Sequence, residues 1–395
     1  MLLQHNLFFD GTMRDYDFTS RVVHDMTRIV RAEDFADMDA DLIFNYLFHQ
    51  MELVSFRDHL KRYIYERAEM VEPYHSVTDE LYCQVILDSF LENKVPFSFI
   101  PTTRHRTAIV KSWLKQKSVR REVIFLLGFG LRMTARDVSS FLTKVIKEQD
   151  FNFHDPEEVI YWYCYQTRTP YLRARNFLHE LKNIDTFPLC STPIQPKEIS
   201  AQDELFAYLR QLHEKQAINL YAQIAAYEWN RLYEQTQKLT AALYSQDVMQ
   251  EENSKQVREA ASIVPADIEK IIYSGIPVNE QGNLEKSSRS LLSEHFQNKR
   301  LSRQRMSILL KGQVHVDRFD LLTLLFFIYS QREDFHDPQS RYQAFTTQAN
   351  AILSKCGMME LYPVNPYEAF ILMCLLTDSP LSTYTEVYEK SYPNG

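Results

Sequence analysis

The chain has 395 residues, and its composition of 45% hydrophobic and 24% charged residues is typical of a folded globular protein, which excludes wholesale disorder. The formal net charge of -8 at pH 7 opposes binding of nucleic acid or anionic membranes over the surface as a whole, so such binding requires a local basic patch. The chain has 8 glycines, far below the average usage of about 7%. Because tight hairpins and phosphate-binding loops depend on glycine, this scarcity predicts an all-α, multi-helical fold.

Sequence motifs of the common enzyme classes are missing. The chain contains no H-E-x-x-H, G-x-x-x-x-G-K-[ST], G-x-S-x-G or G-x-G-x-x-G pattern, and its five cysteines are scattered. We therefore expect a protein that is not an enzyme and has no catalytic residue, metal ligand or cofactor. The longest apolar run, 321–329, is far shorter than the ~20 residues of a membrane helix. Because the first residues lack a leader-like pattern, we expect a cytoplasmic protein without membrane contact.

Helical patterns and one proline-rich stretch divide the chain. Residues 1–100 are predicted to form a helical N-terminal region, because apolar residues recur there at helical spacing. Three prolines within 186–200 predict a linker, placed at 183–202. A long helical segment follows at 203–289. Its part 203–246 has no glycine or proline and would be roughly 65 Å long as one helix, with a helical hairpin as the alternative. A homodimer through 203–246 is a further possibility.

Two stretches of the sequence match each other at a constant offset of 210 residues: DPEEVIYWYCYQTRTP at 155–170 and NPYEAFILMCLLTDSP at 365–380. Each begins with an Asp or Asn suited to a helix N-cap, followed by proline at the first helical position. Glu158 and Glu368 fall in register after the proline, and we expect them to interact with the helix dipole from the first turn.

The match continues upstream, where 118–131 resembles 315–328 and Arg120 is aligned with Arg318. Two related helical repeat units are therefore predicted, at 101–182 and 290–395.

Within the second repeat, LSRQRMSILLKGQVHVDRFDLLTLLFFI at 301–328 resembles the latter part of a Cro/repressor-type (XRE-like) helix-turn-helix domain. The resemblance covers about 290–330, with a degenerate copy at about 95–135. It implies a recognition helix with an exposed start at 302–305, a left-handed C-cap at Gly312 and a covering helix that contains Leu321, Leu322 and Leu325.

Basic residues at the two helix starts provide a separate argument. Thr103 and Ser302 are predicted N-caps, and each is followed by two arginines in an S/T-R-x-R pattern. A cation at the positive end of a helix dipole costs about 0.3 to 1 kcal/mol, and a docked phosphate offsets this cost. Between Thr103 and Arg121 there are seven basic residues and no acidic one. The candidate nucleic-acid-binding residues are Arg104, His105, Arg106, Lys111, Lys115, Arg303, Gln304, Arg305 and Lys311.

These patterns favour a regulator or accessory factor that binds DNA or RNA, as in transcription regulation. Arginines would contact phosphate, whereas His105 and Gln304 are the candidates for base edges. The same cations could also be solvated faces, internal ion-pair partners or a surface for an acidic protein. The alternative function is therefore a helical protein-interaction scaffold that binds no nucleic acid.

Overall fold

The structure is a computed structural model, and it describes residues 38–51, 55–68, 70, 72–99, 105–186, 194–215, 217–250, 263–273, 290–292, 296 and 300–392. Every regular element in these ranges is helical, and none of the described residues forms a strand. The predicted all-α, multi-helical fold is confirmed.

The chain forms two compact units. Unit 1 contains the described residues from 55 to 219, and unit 2 contains residues 38–51 together with the described residues from 220 onward. The N-terminal region predicted at 1–100 is therefore shared between both units, and its residues 1–37 lie outside the described part.

The helices of unit 1 are α2 to α9, and α10 begins at its end. Their bounds are α2 Phe56–Arg67, α3 Asp79–Glu92, α4 Arg106–Trp113, α5 Arg121–Gly130, α6 Ala135–Ser140, α7 Pro156–Thr167, α8 Tyr171–Glu180 and α9 Gln202–Glu214. A π-helical turn, Phe141–Val145, extends α6, and short 3-10 turns cover Tyr74–Ser76, Leu181–Thr186 and Pro196–Glu198.

The helices of unit 2 are α1, most of α10, and α11 to α16. Their bounds are α1 Ala40–Asn45, α10 Ala217–Gln250, α11 Pro265–Ile272, α12 Arg303–Leu310, α13 Arg318–Ser330, α14 Pro338–Lys355, α15 Pro366–Leu375 and α16 Pro380–Lys390. A π-helical turn, Tyr46–Gln50, extends α1, and α1 packs against α16.

The proline-rich linker predicted at 183–202 lies inside unit 1 and does not separate the two units. The helix that follows it, α9, buries Leu205, Leu209 and Leu212 in the same apolar core as Phe177 of α8. After the linker the chain therefore still belongs to unit 1, because the apolar face of α9 is covered by the core of that unit.

The segment predicted as one long helix or a hairpin at 203–246 forms two helices, α9 and α10, that are separated near residue 215. Helix α10 alone would be about 51 Å long. Its face with Ala225, Trp229 and Leu232 is buried, and Leu232 lines a cleft together with Leu325 of α13 in unit 2. This apolar face is thus covered within unit 2, and the predicted homodimer through 203–246 stays a prediction.

Five helices follow one another in the same order in both repeats, α4 to α8 and α12 to α16. The predicted starts of α7 and α15 are confirmed, because Asp155 and Asn365 each accept two backbone N–H groups of the first helical turn. In both copies a proline follows the cap, in the position where its missing N–H costs nothing.

Each repeat contains the same buried ion pair. In unit 1, Arg121 binds Glu158 at 2.5 Å, and in unit 2 Arg318 binds Glu368 at 2.8 Å. Each guanidinium also donates to two backbone carbonyls, those of Gln149 and Asp150 in one copy and of Met359 and Glu360 in the other. The structural counterpart of Arg318 is therefore Arg121, so the predicted alignment with Arg120 is wrong by one residue. Glu158 and Glu368 were expected only to interact with the helix dipole. Each also joins the first turn of its helix to an arginine of another helix through an ion pair.

Gly130 allows a close approach between helices α5 and α3. A Cβ atom at this position would lie 2.0 Å from the ring of Phe90, which is fully buried. A residue with a side chain here would therefore have to displace part of the core.

Candidate nucleic-acid interface

A run of exposed cations lies on α4 and the turn that follows it in unit 1. We call this the α4 basic surface and define it by Arg106, Lys111, Lys115, Lys117 and Arg120, all of which are exposed. The next basic residue, Arg121, is excluded because its guanidinium is bound to Glu158.

The α4 basic surface is held in place by apolar packing on the opposite side. Val110, Trp113 and Leu114 of this segment are buried in the core of unit 1. The turn is fastened by the start of α2, where the N–H of Phe56 donates to the carbonyl of Lys117 at 2.7 Å. The backbone of the segment that carries these cations is therefore held by core packing and by a hydrogen bond from α2.

No ion pair involves Arg106, Lys111, Lys115 or Arg120 among the residues that the structure describes. The guanidinium of Arg106 lies 5.9 Å from the ring centre of Phe97, which is a cation–π distance. Lys111 and the exposed Glu80 both lie near the thiol of Cys83, yet they do not pair with each other. Within the described ranges, the charges of Arg106, Lys111, Lys115 and Arg120 are therefore not compensated by an ion pair.

The start of α4 differs from the sequence expectation. The helix begins at Arg106 with His105 in the N-cap position, and no side chain caps it. The prediction of Thr103 as N-cap is therefore wrong. Thr103 and Arg104 lie outside the described residues, whereas His105 is exposed.

The corresponding helix of unit 2, α12, begins as predicted. The Ser302 hydroxyl accepts the N–H of Arg305 at 3.1 Å, and Gly312 has the left-handed backbone predicted for it, with φ of 63°. Arg303, Gln304 and Lys311 are exposed. Met306 and Leu309 face the core, as do Leu321, Leu322 and Leu325 of α13.

Arg305 is the exception in unit 2, because its guanidinium is engaged inside the protein. It donates to Asp320 at 2.6 and 3.1 Å and to the carbonyl of His315 at 3.0 Å. Asp320 is almost fully buried, and burial raises its pKa to about 6 against the opposing effect of Arg305. The expected contact between Arg305 and phosphate would require this internal pair to break.

The sequence contains a signal for this pair in the two acids at the start of α13. Asp317 and Asp320 form a capping box at the start of α13, in which each carboxylate accepts a backbone N–H of the other residue. A second acid three residues after an N-cap is a recognisable helix start. Its carboxylate is also available to a cation from a neighbouring helix.

Metal sites and membrane-spanning helices are both absent from the same described ranges. No group of three or more His, Cys, Asp or Glu residues there could hold a metal ion. No helix within those ranges is both long and apolar enough to cross a bilayer.

The helix-turn-helix resemblance stays a prediction. Most of residues 290–299, where the first helix of the motif would precede α12, lie outside the described part. In unit 1, residues 93–105 separate α3 from α4, whereas a helix-turn-helix joins its helices by a turn of about 3 to 4 residues. No family model, curated protein or solved structure matches this chain.

Proposed function

We propose that this protein is a non-enzymatic regulator or accessory factor that binds nucleic acid, with duplex DNA as the expected target, through the α4 basic surface. The observation that carries the proposal is the group of exposed cations, Arg106, Lys111, Lys115 and Arg120, without ion-pair partners in the described residues. Phosphate contacts supply most of the affinity of such proteins, and each requires an accessible cation.

The net charge of -8 strengthens the argument for a specific surface. A protein of this charge is repelled by DNA except where cations cluster, so a concentrated basic segment would also orient the approach. Unit 2 would contribute through Arg303, Gln304 and Lys311. Its contribution is expected to be the smaller one, because Arg305 is bound to Asp320.

Fluorescence anisotropy with a labelled DNA duplex tests the proposal. The triple variant Arg106→Ala/Lys111→Ala/Lys115→Ala is compared with Arg136→Ala/Lys182→Ala/Lys215→Ala, which removes three exposed cations of the same unit away from α4. We expect the first variant to bind at least about tenfold more weakly than wild type, while the control retains most of the affinity.

Two results would overturn the proposal. Equal losses in both triple variants would mean that only net charge matters. If the wild-type protein fails to bind duplex DNA or single-stranded RNA at low salt, the basic segment serves a protein partner, as a helical scaffold would require.

A further inference from the structure

A second basic feature of unit 1 is a cleft of about 580 Å³ formed by residues of α2, α3, the end of α5 and the end of α7. Three arginines line it: Arg67, Arg132 and Arg168. Apolar side chains of Ile64, Val85 and Leu131 form part of the same wall.

Two of the arginines converge on a single backbone oxygen. Arg67 donates to the carbonyl of Arg132 at 3.3 Å, and Arg168 donates to the same carbonyl at 2.6 Å. None of the three arginines forms an ion pair with a carboxylate among the described residues. Two like charges held at one carbonyl repel each other, and a bound anion would remove that repulsion.

The backbone at two of these positions is unusual for arginine. Arg132 has φ of 51° and Arg168 has φ of 58°, which is the left-handed region that favours glycine. A cation after the last turn of a helix interacts favourably with the helix dipole. The helix dipole alone does not explain why two such arginines, which follow different helices, line the same cleft.

Two carboxylates lie at or beside the cleft, and neither forms an ion pair with its arginines among the described residues: Glu66 lines the cleft, and Asp137 binds Tyr63, which also lines it. Asp137 accepts the N–H of Thr134 at 2.8 Å and the hydroxyl of Tyr63 at 3.3 Å. Burial raises the pKa of Glu66, and the one cation that lowers it is Arg62, which does not line the cleft.

We propose that this cleft binds a phosphate monoester of nucleotide size. The guanidiniums of Arg67, Arg132 and Arg168 would hold the phosphate, because their planar forks match its oxygens. The organic part would lie against the apolar wall with Ile64, Val85 and Leu131. The volume falls within the range of about 300 to 1,000 Å³ that is typical of small-molecule sites.

The cleft is distinct from the α4 basic surface. Helix α5 begins at Arg121, directly after that surface, and ends at Gly130, shortly before Arg132. A helix of this length separates the two ends by about 15 Å. The small-molecule proposal therefore stands independently of nucleic-acid binding.

Calorimetric titration of the full chain with adenosine monophosphate, adenosine and inorganic phosphate tests the proposal. The variant Arg132→Gly/Arg168→Gly removes two cations and places glycine where the backbone favours it, so the fold is preserved. Lys94→Gly is the matched control, because Lys94 has the same left-handed backbone, with φ of 53°, and does not line the cleft.

We expect wild type and Lys94→Gly to bind adenosine monophosphate equally, and the double variant to bind at least about tenfold more weakly. Adenosine should not bind, inorganic phosphate should bind more weakly, and the melting temperature of the double variant without ligand should be no lower than that of wild type.

Three outcomes would overturn the proposal: no binding of adenosine monophosphate by wild type, equal affinity for inorganic phosphate, or unchanged binding by the double variant. Affinity for duplex DNA distinguishes the two proposals. The double variant should retain it, and its loss would make the cleft part of the nucleic-acid surface.

Discussion

At the scale of single residues, the repeated arginine–glutamate pair is the feature that fixes how each repeat closes. Glu368 is 3% exposed in its side chain and Arg318 is 15% exposed. Glu368 also accepts the N–H of Tyr362 at 2.7 Å, and Glu158 accepts that of Asn152 at the same distance and the same position of the first repeat. Removing one member would leave a buried charge without its partner.

Glu368→Gln tests this role. It keeps the shape of the side chain but removes the charge, and we expect it to lower the free energy of unfolding by about 3 kcal/mol. Asp334→Asn is the control, because Asp334 pairs with Arg332 at the surface, where the loss should be below about 1 kcal/mol. Urea denaturation of both variants gives the comparison. Equal losses would contradict the account of Glu368.

His59 gives a prediction for pH. Burial, then the cations of Lys144 and Lys147, lower its pKa from 6.5 to about 4. The folded state therefore takes up the proton of His59 less readily than the unfolded state. Its contribution to stability is complete above pH 6.5 and is lost as the pH falls towards 4.

We expect wild type to lose about 2 kcal/mol of stability through His59 between pH 7 and pH 5. In His59→Gln this share of the loss should disappear. Denaturant unfolding at both pH values measures it, and His75, which is exposed, can be changed to Gln as a matched control outside the core. An identical acid response in wild type and His59→Gln would show that this histidine does not titrate as described.

At the scale of helices, α9 is predicted to be part of the core of unit 1. Leu209 of α9 is fully buried there, whereas Leu172 of α8 is 53% exposed. Leu209→Ala should therefore cost about 2 to 5 kcal/mol, and Leu172→Ala should cost little. Thermal unfolding measures both. A small effect of Leu209→Ala would mean that α9 is not packed as the structure has it.

Most of these helices and several of their starts can be predicted from the sequence, whereas the start of α4 and the tertiary contacts of the side chains cannot. Helical spacing and capping residues correctly indicate α7, α12 and α15, because these signals lie within a few residues of each other. The start of α4 was misplaced, since Thr103 is a good cap by type but the helix begins at Arg106.

Most of the features that the sequence did not predict are contacts between residues far apart in the chain. Glu158 lies in the first turn of α7, and its role is set by Arg121 of α5, which no local pattern specifies. In the same way the sequence showed that Arg305 is basic, but not that Asp320 of the next helix takes up its guanidinium. Which of the candidate cations are exposed therefore follows only from the structure.

At the scale of the whole molecule, an acidic chain carries two separate groups of exposed basic residues in unit 1. The α4 basic surface directly precedes α5 in the chain, and Leu131 and Arg132 of the arginine cleft directly follow it. Unit 2 repeats the helices but engages Arg305 internally. Among the described candidate residues, the first repeat, which is the more degenerate in sequence, therefore has more accessible cations than the second.

Whether the α4 basic surface contacts phosphate is tested by the salt dependence of duplex DNA binding, measured for wild type and for Arg106→Ala/Lys111→Ala/Lys115→Ala. Each phosphate neutralised contributes about 0.9 to the slope of log K against log salt concentration. We expect a steep slope for wild type and a slope flatter by about 2 to 3 for the variant, with no change for Arg136→Ala/Lys182→Ala/Lys215→Ala. Equal slopes for wild type and the α4 variant would contradict this expectation.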